Sequence, residues 1–461
     1  MTTNTTHGVA APEVRDGWEL RHVDPRVVAD NPDNARHPKR DRVGLAASIT
    51  SLGVLTPPLV RELEDGSLVL IAGERRKYSA IEAGLKTIPV FVRRDLSDVQ
   101  RLAGMLIENT DREGLTVVEE AVTLQRLAGF EGMTAKSVSE LTGIKAAVVR
   151  LAVKVANSDV ARDVAQRHSL TLEQAAALAE FEDDEAAVKQ LTQYATERPE
   201  HFKHALSRLR EDRRESLARS VKISELESKG LVVIEAPSWN ADTKVTRLDS
   251  LQNTDGKALT TRNHAKCPGH AVALGRWDVD VVEGYCLDAT TYGHQPRFTR
   301  SGGERSVGGT MSVEQKAERQ TVVANNKAWV AAESVRREHV VELLARRSVP
   351  KGTLVFAVRD VLTNSANLDA PDELLTELTA VKATGRYGHS VGAKLAEATP
   401  EARLALALLA QVAASIEHST SKGTWRSANP RVATWFTYLA TTGYTLSEVE
   451  QLVVDTAAKE K

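Results

Sequence analysis

The feature that most constrains this chain is where its apolar pattern changes period. Between residues 18 and 95, LTPPLVREL, SLVLIAG and IPVFVRR are short β-tolerant runs bounded by proline and glycine. They alternate with RVGLAASITSLG, apolar at helical spacing, and RRKYSAIEAG, a helix closed by Gly84. From about 96 to 222 the period is almost purely helical, through VQRLAGMLIEN, TVVEEAVTLQRLAGF and the charged HFKHALSRLREDRRESLARS. Residues 229–295 return to strands and turns, in GLVVIEAPSW and AVALGRWDVDVVEGYCLDA. PRFTRSGGERSVGGTM reads as a flexible linker, and beyond it the chain is helical again. PEARLALALLAQVAASIEH is apolar nearly all round, so it is expected to be a buried helix. These shifts divide the chain into a polar leader (1–17), an α+β domain (18–112), a helical domain (113–222), a β-rich segment (223–295), a linker (296–311) and a helical C-terminal domain (312–461).

Composition narrows the class. No run of about 18 apolar residues is present, so no membrane-spanning helix is expected, and the leader MTTNTTHGVAAPEVRDG lacks a signal-peptide core. Only two cysteines, Cys267 and Cys286, occur, which excludes a disulfide framework and fits a reducing, cytoplasmic location. With 60 basic and 62 acidic residues the net charge is -2, which argues against a strong general attraction to nucleic acid.

Three motifs carry chemistry. In IAGERRKYSAIEAG (71–84) a strand runs into Gly73, Glu74, Arg75 and Arg76 and then a helix. Glycine permits close backbone approach to a ligand, the helix N-terminus offers unpaired N–H groups, and the arginines offer forked donors suited to phosphate. A surface turn with ion pairs is the plainer alternative. A second G-E-R, Gly303-Glu304-Arg305, lies in the linker with no strand before it and carries no expectation. In IENTDREGLTVVEEA (107–121), Glu108 and Asn109 supply hard oxygen ligands and Arg112 a guanidinium, which suits a Mg²⁺-bound phosphate chain. A Glu108–Arg112 helix pair is the alternative there, and Thr116 with Glu119 makes a capping box.

The third motif, MTAKSVSELTGIKAAVVRLAVKVA (133–156), has the spacing of a helix-turn-helix. Thr134 caps the first helix, Gly143 breaks it, and the second starts near Lys145. Residues 134–154 hold four basic groups against Glu140, a local net +3 that the whole-chain average hides. The expected DNA contacts are Lys136, Ser137, Lys145, Arg150 and Lys154, with Arg162 and Arg167 on the next helix. A plain αα-hairpin is the alternative.

In this order, SITSLGVLTPPLV, IAGERRKYSAIEAGLKTIPVFVRR, IENTDREGLTVVEEAVTLQRLAGFEGMT, the helix-turn-helix and LTLEQAAALAEFEDD closely resemble the ParB family of DNA-partition proteins, over about residues 18–220. The resemblance implies a ParB/Srx-like nucleotide-binding domain and a dimeric clamp that binds CTP with Mg²⁺. It also implies a parS-like double-stranded DNA site and a ParA-type ATPase partner in chromosome partition or plasmid segregation. It assigns the triphosphate to Gly73, Glu74, Arg75 and Arg76. It assigns Glu108, Asn109 and Arg112 to the second phosphate motif, with Glu108 and Asn109 serving the metal. Weak CTP hydrolysis as a switch is compatible with it, without a nameable catalytic residue. The family's first box, usually N-P-x-Q-P-R, reads Asn31-Pro32-Asp33-Asn34-Ala35-Arg36 here, which weakens base recognition but not the phosphate contacts. A ParB-like transcriptional regulator without ParA is the rival reading. A nuclease or sulfiredoxin-like enzyme is disfavoured by the lack of cysteine in 1–222 and of a clear acidic or histidine ligand cluster.

Beyond 222 the resemblance fades, and the usual short dimerisation segment is not recognisable. The C-terminal helices, including ALALLAQVAAS, are the place left for dimerisation. In NHAKCPGHAVALGRWDVDVVEGYCLDATTYGH (263–294), Cys267 with His270 and Cys286 with His294 suggest a structural zinc site, with His264 as a spare candidate. A buried free cysteine with surface histidines is the plainer alternative.

Overall fold

The computed structural model describes residues 18–30, 43–94, 97–112, 115–237, 244–275, 278–297, 313–382 and 390–460. The leader, the Asn31–Arg36 box and nearly all of the glycine-rich linker, including Gly303–Arg305, lie outside the described residues. The chain forms two compact units, residues 1–197 and 198–461.

The first unit begins with β1 (Glu19–Val23), β2 (Val28–Ala29), α1 (Val43–Leu52), β3 (Leu59–Glu62), β4 (Leu68–Ala72), α2 (Glu74–Glu82) and β5 (Ile88–Arg93). The strands form one mixed sheet in the order β1-β5-β3-β4-β2. The IPVFVR run alternates as its pattern requires: Ile88, Val90 and Val92 are buried while the residues between them are half-buried. With Val60, Leu70 and Ala80 they form the core under α1 and α2. β1 and β2 were not legible in the sequence. β1 is a mostly polar edge strand bonded to β5, and β2 is a two-residue pairing on β4.

Helices follow: α3 (Asp98–Arg112), α4 (Val117–Ala128), α5 (Ala135–Thr142), α6 (Ala146–Ala156), α7 (Asp159–Arg167), α8 (Leu172–Leu178) and α9 (Glu185–Glu197). Thr116 and Glu119 form the capping box expected for α4, and Thr134 with Ser137 forms another at α5. Gly143 ends α5 in the left-handed region at φ 76°.

The second unit opens with α10 (Phe202–Ser228), the helix that sequence patterning grouped with the preceding helical domain. Short strands follow: β6 (Val232–Val233), β7 (Thr246–Arg247), β8 (Leu251–Gln252), β9 (His270–Leu274), β10 (Val282–Cys286) and β11 (Gln295–Pro296). They make a four-stranded sheet, β6-β9-β10-β7, and a two-stranded one, β11-β8. The rest is helical: α11 (Val313–Leu344), α12 (Thr353–Thr363), α13 (Asp372–Thr379), α14 (Val391–Ala398), α15 (Leu404–Ser419), α16 (Pro430–Thr441) and α17 (Glu448–Lys459).

These helices surround the largest core, which includes Trp329, Leu343, Leu409, Val412, Trp435 and Phe436. α15 is the buried helix its composition requires. Its central residues are covered within their own unit, so that stretch does not offer the free dimerisation face expected of ALALLAQVAAS. At its end a charge cluster is fully enclosed. Arg336 of α11 donates Nε and Nη2 to Glu417 at 2.6 and 2.7 Å and Nη1 to Glu450 at 2.5 Å. Trp435 Nε1 donates to Glu417 and Tyr444 to Glu450, so the carboxylates have further donors. Burial pushes the Glu417 carboxyl up, but Arg336 outweighs it and holds the group below its ordinary value.

Candidate functional site

The Gly73 turn is a backbone cradle. β4 carries the chain into Gly73, which sits at φ 101° as the N-cap of α2 and supplies no side-chain cap. The amides of Arg76 and Lys77 close onto the Gly73 carbonyl and start the helix. The turn lies so close to the Thr56–Pro58 segment that a Cβ on Gly73 would meet Pro58 Cα and Cβ at 3.0 Å. Arg76 joins the same two walls, donating Nη1 to the carbonyls of Thr56 at 2.8 Å and Pro57 at 3.1 Å. It therefore acts as a strut of the cradle, while Arg75 is exposed.

Sequence reasoning missed a second layer. Lys77, only 5% exposed, bonds Asp30 through Nζ at 2.6 Å, and Tyr78 donates its hydroxyl to the other oxygen of Asp30. Burial pushes Asp30 up, but Lys77 and Tyr78 bring the carboxyl below its ordinary range. The helix after the turn is thereby tied to the residue that precedes Asn31. Neither the 47-residue separation nor the residue types would reveal that pair. Glu108, Asn109 and Arg112 occupy the last turn of α3, and their side chains lie outside the described residues.

The helix-turn-helix forms as α5 and α6. α6 buries Val149, Ala152, Val155 and Ala156 and leaves Lys145 and Arg150 exposed. Lys145 is its N-cap and makes no side-chain cap bond. The other basic candidates have intramolecular partners: Lys154 pairs with Glu180 at 2.9 Å, and Lys136 faces Glu140 at 3.9 Å. Arg162 bonds the Ala156 carbonyl at 2.9 Å and pairs with Asp159, while Arg167 pairs with Asp163. The Ser137 hydroxyl serves the α5 capping box.

The second unit gathers His264, Cys267, Cys286 and His294, whose ligand atoms all lie within 4.8 Å of one another. His264 takes the place expected of His270, which lies behind it, Nδ1 to Nδ1 at 2.9 Å. Burial, then the neighbouring His294 and His270 rings, push His264 down to about 4, so its imidazole is neutral near pH 7. Burial likewise lowers His270 and pushes the Cys286 thiol up to about 11.

The first unit therefore joins a glycine turn on a mixed sheet to a helix-turn-helix. Residues 11–110 match the ParB N-terminal domain, so this part of the chain carries a ParB N-terminal domain. A probable chromosome-partitioning protein ParB of Treponema pallidum is 36% identical over 148 residues, 31% of this chain and 45% of the relative. The nucleoid occlusion protein of Halalkalibacterium halodurans is 36% identical over 135 residues, 28% and 47% of the two chains. The chain thus spans about half the length of the curated relatives it matches. The C-terminally truncated ParB of Caulobacter crescentus was solved with the centromeric parS site (30% identity, 38% of this chain and 92% of that one, TM-score 0.30). It was also solved with CTP-γ-S (33% identity, 37% and 98% of the two chains, TM-score 0.20).

Proposed function

We propose that the protein is a site-specific DNA-binding partition protein, a dimeric clamp loaded by CTP with Mg²⁺ at a parS-like site and working with a ParA-type ATPase at the nucleoid or a plasmid. The observation that carries this reading is the Gly73 cradle. A left-handed glycine N-cap that opens a helix and an arginine strut stand within a matched ParB N-terminal domain. Glycine suits this turn twice over, because the backbone is left-handed and a Cβ would stand 3.0 Å from Pro58 Cα and Cβ, and a helix N-terminus favours an anion. Gly73, Glu74, Arg75 and Arg76 would hold the phosphates, with Glu108, Asn109 and Arg112 as the second phosphate motif and Glu108 and Asn109 serving the magnesium. A bound nucleotide supplies a population shift, by binding the closed N-terminal arrangement better than the open one. Lys145 and Arg150 on α6 are the exposed cations facing DNA phosphate, and Lys136, Lys154, Arg162 and Arg167 would join them by exchanging their carboxylate partners. Structural zinc in the β-rich segment belongs to the same reading.

The test is nucleotide binding by the wild type and by Arg76→Ala, with CTP against ATP, GTP and UTP. A CTP preference lost in the variant is expected, and equal binding of all four would remove the clamp mechanism. A second reading, a ParB-like DNA-binding protein without a partition role, is favoured by one observation. A nucleoid occlusion protein and a partition protein match this region at the same 36% identity. Genome-wide occupancy separates them: spreading over kilobases around a few sites means partition, and discrete peaks without spreading mean regulation.

A further inference from the structure

We infer that His264, Cys267, Cys286 and His294 bind one structural zinc ion, with His270 holding His264 from outside the coordination shell. This rests on the zinc part of the reading above and replaces the ligand set that spacing suggests.

The four residues come from two knuckles at one end of the β9–β10 hairpin. In the first, the Cys267 amide closes onto the His264 carbonyl and the His270 amide onto the Cys267 carbonyl, both at 2.9 Å. In the second, Cys286 ends β10, and the chain turns back so that the His294 amide reaches the Ala289 carbonyl at 2.8 Å. Leu287 donates to the Gly269 carbonyl at 2.9 Å, joining the knuckles through their backbones. They approach so closely that a Cβ on Gly269 would stand 2.3 Å from the Tyr292 ring and 3.2 Å from Cys286 Sγ.

Two edges of the cluster match a zinc tetrahedron, and all four ligand atoms lie within 4.8 Å of one another. Zinc bonds of about 2.0–2.1 Å to nitrogen and 2.3 Å to sulfur imply edges of about 3.3 Å between nitrogens and 3.6 Å between nitrogen and sulfur. His264 Nε2 and His294 Nε2 are 3.0 Å apart, and Cys267 Sγ is 3.5 Å from His294 Nε2. His270 meets the opposite edge of the His264 ring, so it cannot share the same ion with Nδ1. It can accept the His264 Nδ1 proton, which fixes the tautomer with the Nε2 lone pair facing the cluster. Two thiolates neutralise a divalent ion, which suits a pocket where Cys286 is fully buried and His264 is 2% exposed. Four protein ligands leave no open position, so the site is structural rather than catalytic.

The knuckle end of the segment would gain from such a cross-link. β7, β8 and β11 have two residues each, and the cluster around the knuckles holds only Leu248, Leu251, Leu259 and Cys286 as buried members. A metal cross-link would secure this end, whereas β9 and β10 have buried residues of their own in Ala271, Val272, Ala273, Leu274 and Tyr285.

The test uses the full chain, measuring bound zinc by elemental analysis and site geometry by the visible spectrum after cobalt(II) substitution. One zinc per chain and a tetrahedral thiolate–cobalt spectrum are expected. His270→Ala should keep one metal and that spectrum while weakening affinity about 10–100-fold. His264→Ala should lose stoichiometric metal, and His264→Cys should recover it, which separates lost ligation from failed folding. If His270→Ala loses the metal while His264→Ala keeps it, this ligand assignment is overturned and the zinc reading stands. A reduced wild-type chain that takes up neither zinc nor cobalt sinks both.

Discussion

The Gly73 turn and the Arg336 cluster use the same residue types to opposite ends. In the second unit Arg336 is fully enclosed, and its guanidinium is divided between Glu417 and Glu450. In the first, the described bonds of Arg76 include two backbone carbonyls of a neighbouring segment, and the helix amides beside it have no side-chain cap. A guanidinium matched by buried carboxylates locks helices together. One that bonds backbone carbonyls braces a glycine turn against its neighbouring segment. The lesson is that arginine near glutamate says little until its acceptors are known.

The largest effect that would test this contrast is in the second unit. Arg336→Ala leaves two carboxylates buried without their cation and should destabilise that unit by about 3–5 kcal/mol, read as a lower denaturant midpoint. Nucleotide binding by the first unit should persist where the variant is still folded. A shift within error would mean that the cluster does not hold the helices together.

Acid should act on the same cluster. Because Arg336 holds the Glu417 carboxyl below its ordinary value of 4.5, ionised Glu417 contributes stability in full above that range. The contribution is lost as pH falls through the folded-state value. Denaturant midpoints of the wild type should drop on acidification more steeply than those of Glu417→Gln, and parallel curves would refute the assignment.

Glycine offers a sharper, smaller comparison. Gly73 and Gly143 both have positive φ, but only Gly73 has a neighbour within 4 Å of a built Cβ. Gly143→Ala should cost about 1–2 kcal/mol through backbone strain alone, while leaving nucleotide binding unchanged. Gly73→Ala should cost about 1–3 kcal/mol and also abolish the CTP preference, because the new methyl enters the cradle. Equal nucleotide binding by the two variants would remove the cradle from the mechanism.

The smallest effect on folding belongs to Arg150→Ala, whose side chain is on the exposed face of α6. Stability should change by no more than about 0.5 kcal/mol. DNA binding should weaken, and the slope of log affinity against log salt should fall by about one. An unchanged slope would take Arg150 out of the phosphate contacts.

Much of the molecule was legible in advance where local chemistry decides. IPVFVR alternates because one strand face is covered, and Thr134, Ser137 and Gly143 set the ends of α5 through bonds within a few residues of each other. Near-neutral overall charge averages over a local +3 in the helix-turn-helix window. The polar β1 carried no apolar signal, and it is a strand because β5 offers a bonding edge.

What the sequence determined by itself was the apolar strands and the helices, the glycine-turn motif and the presence of two cysteines and nearby histidines, all consequences of short-range pattern. Tertiary structure alone decided which partners those groups meet. It gave Arg76 to the Thr56 and Pro57 carbonyls, Lys77 to Asp30, and His264 rather than His270 to the cysteines. The physical reason is that hydrogen bonds and metal coordination act over about 2–3.5 Å. At that range, partners are chosen by how strands and turns pack, and spacing along the chain does not encode it.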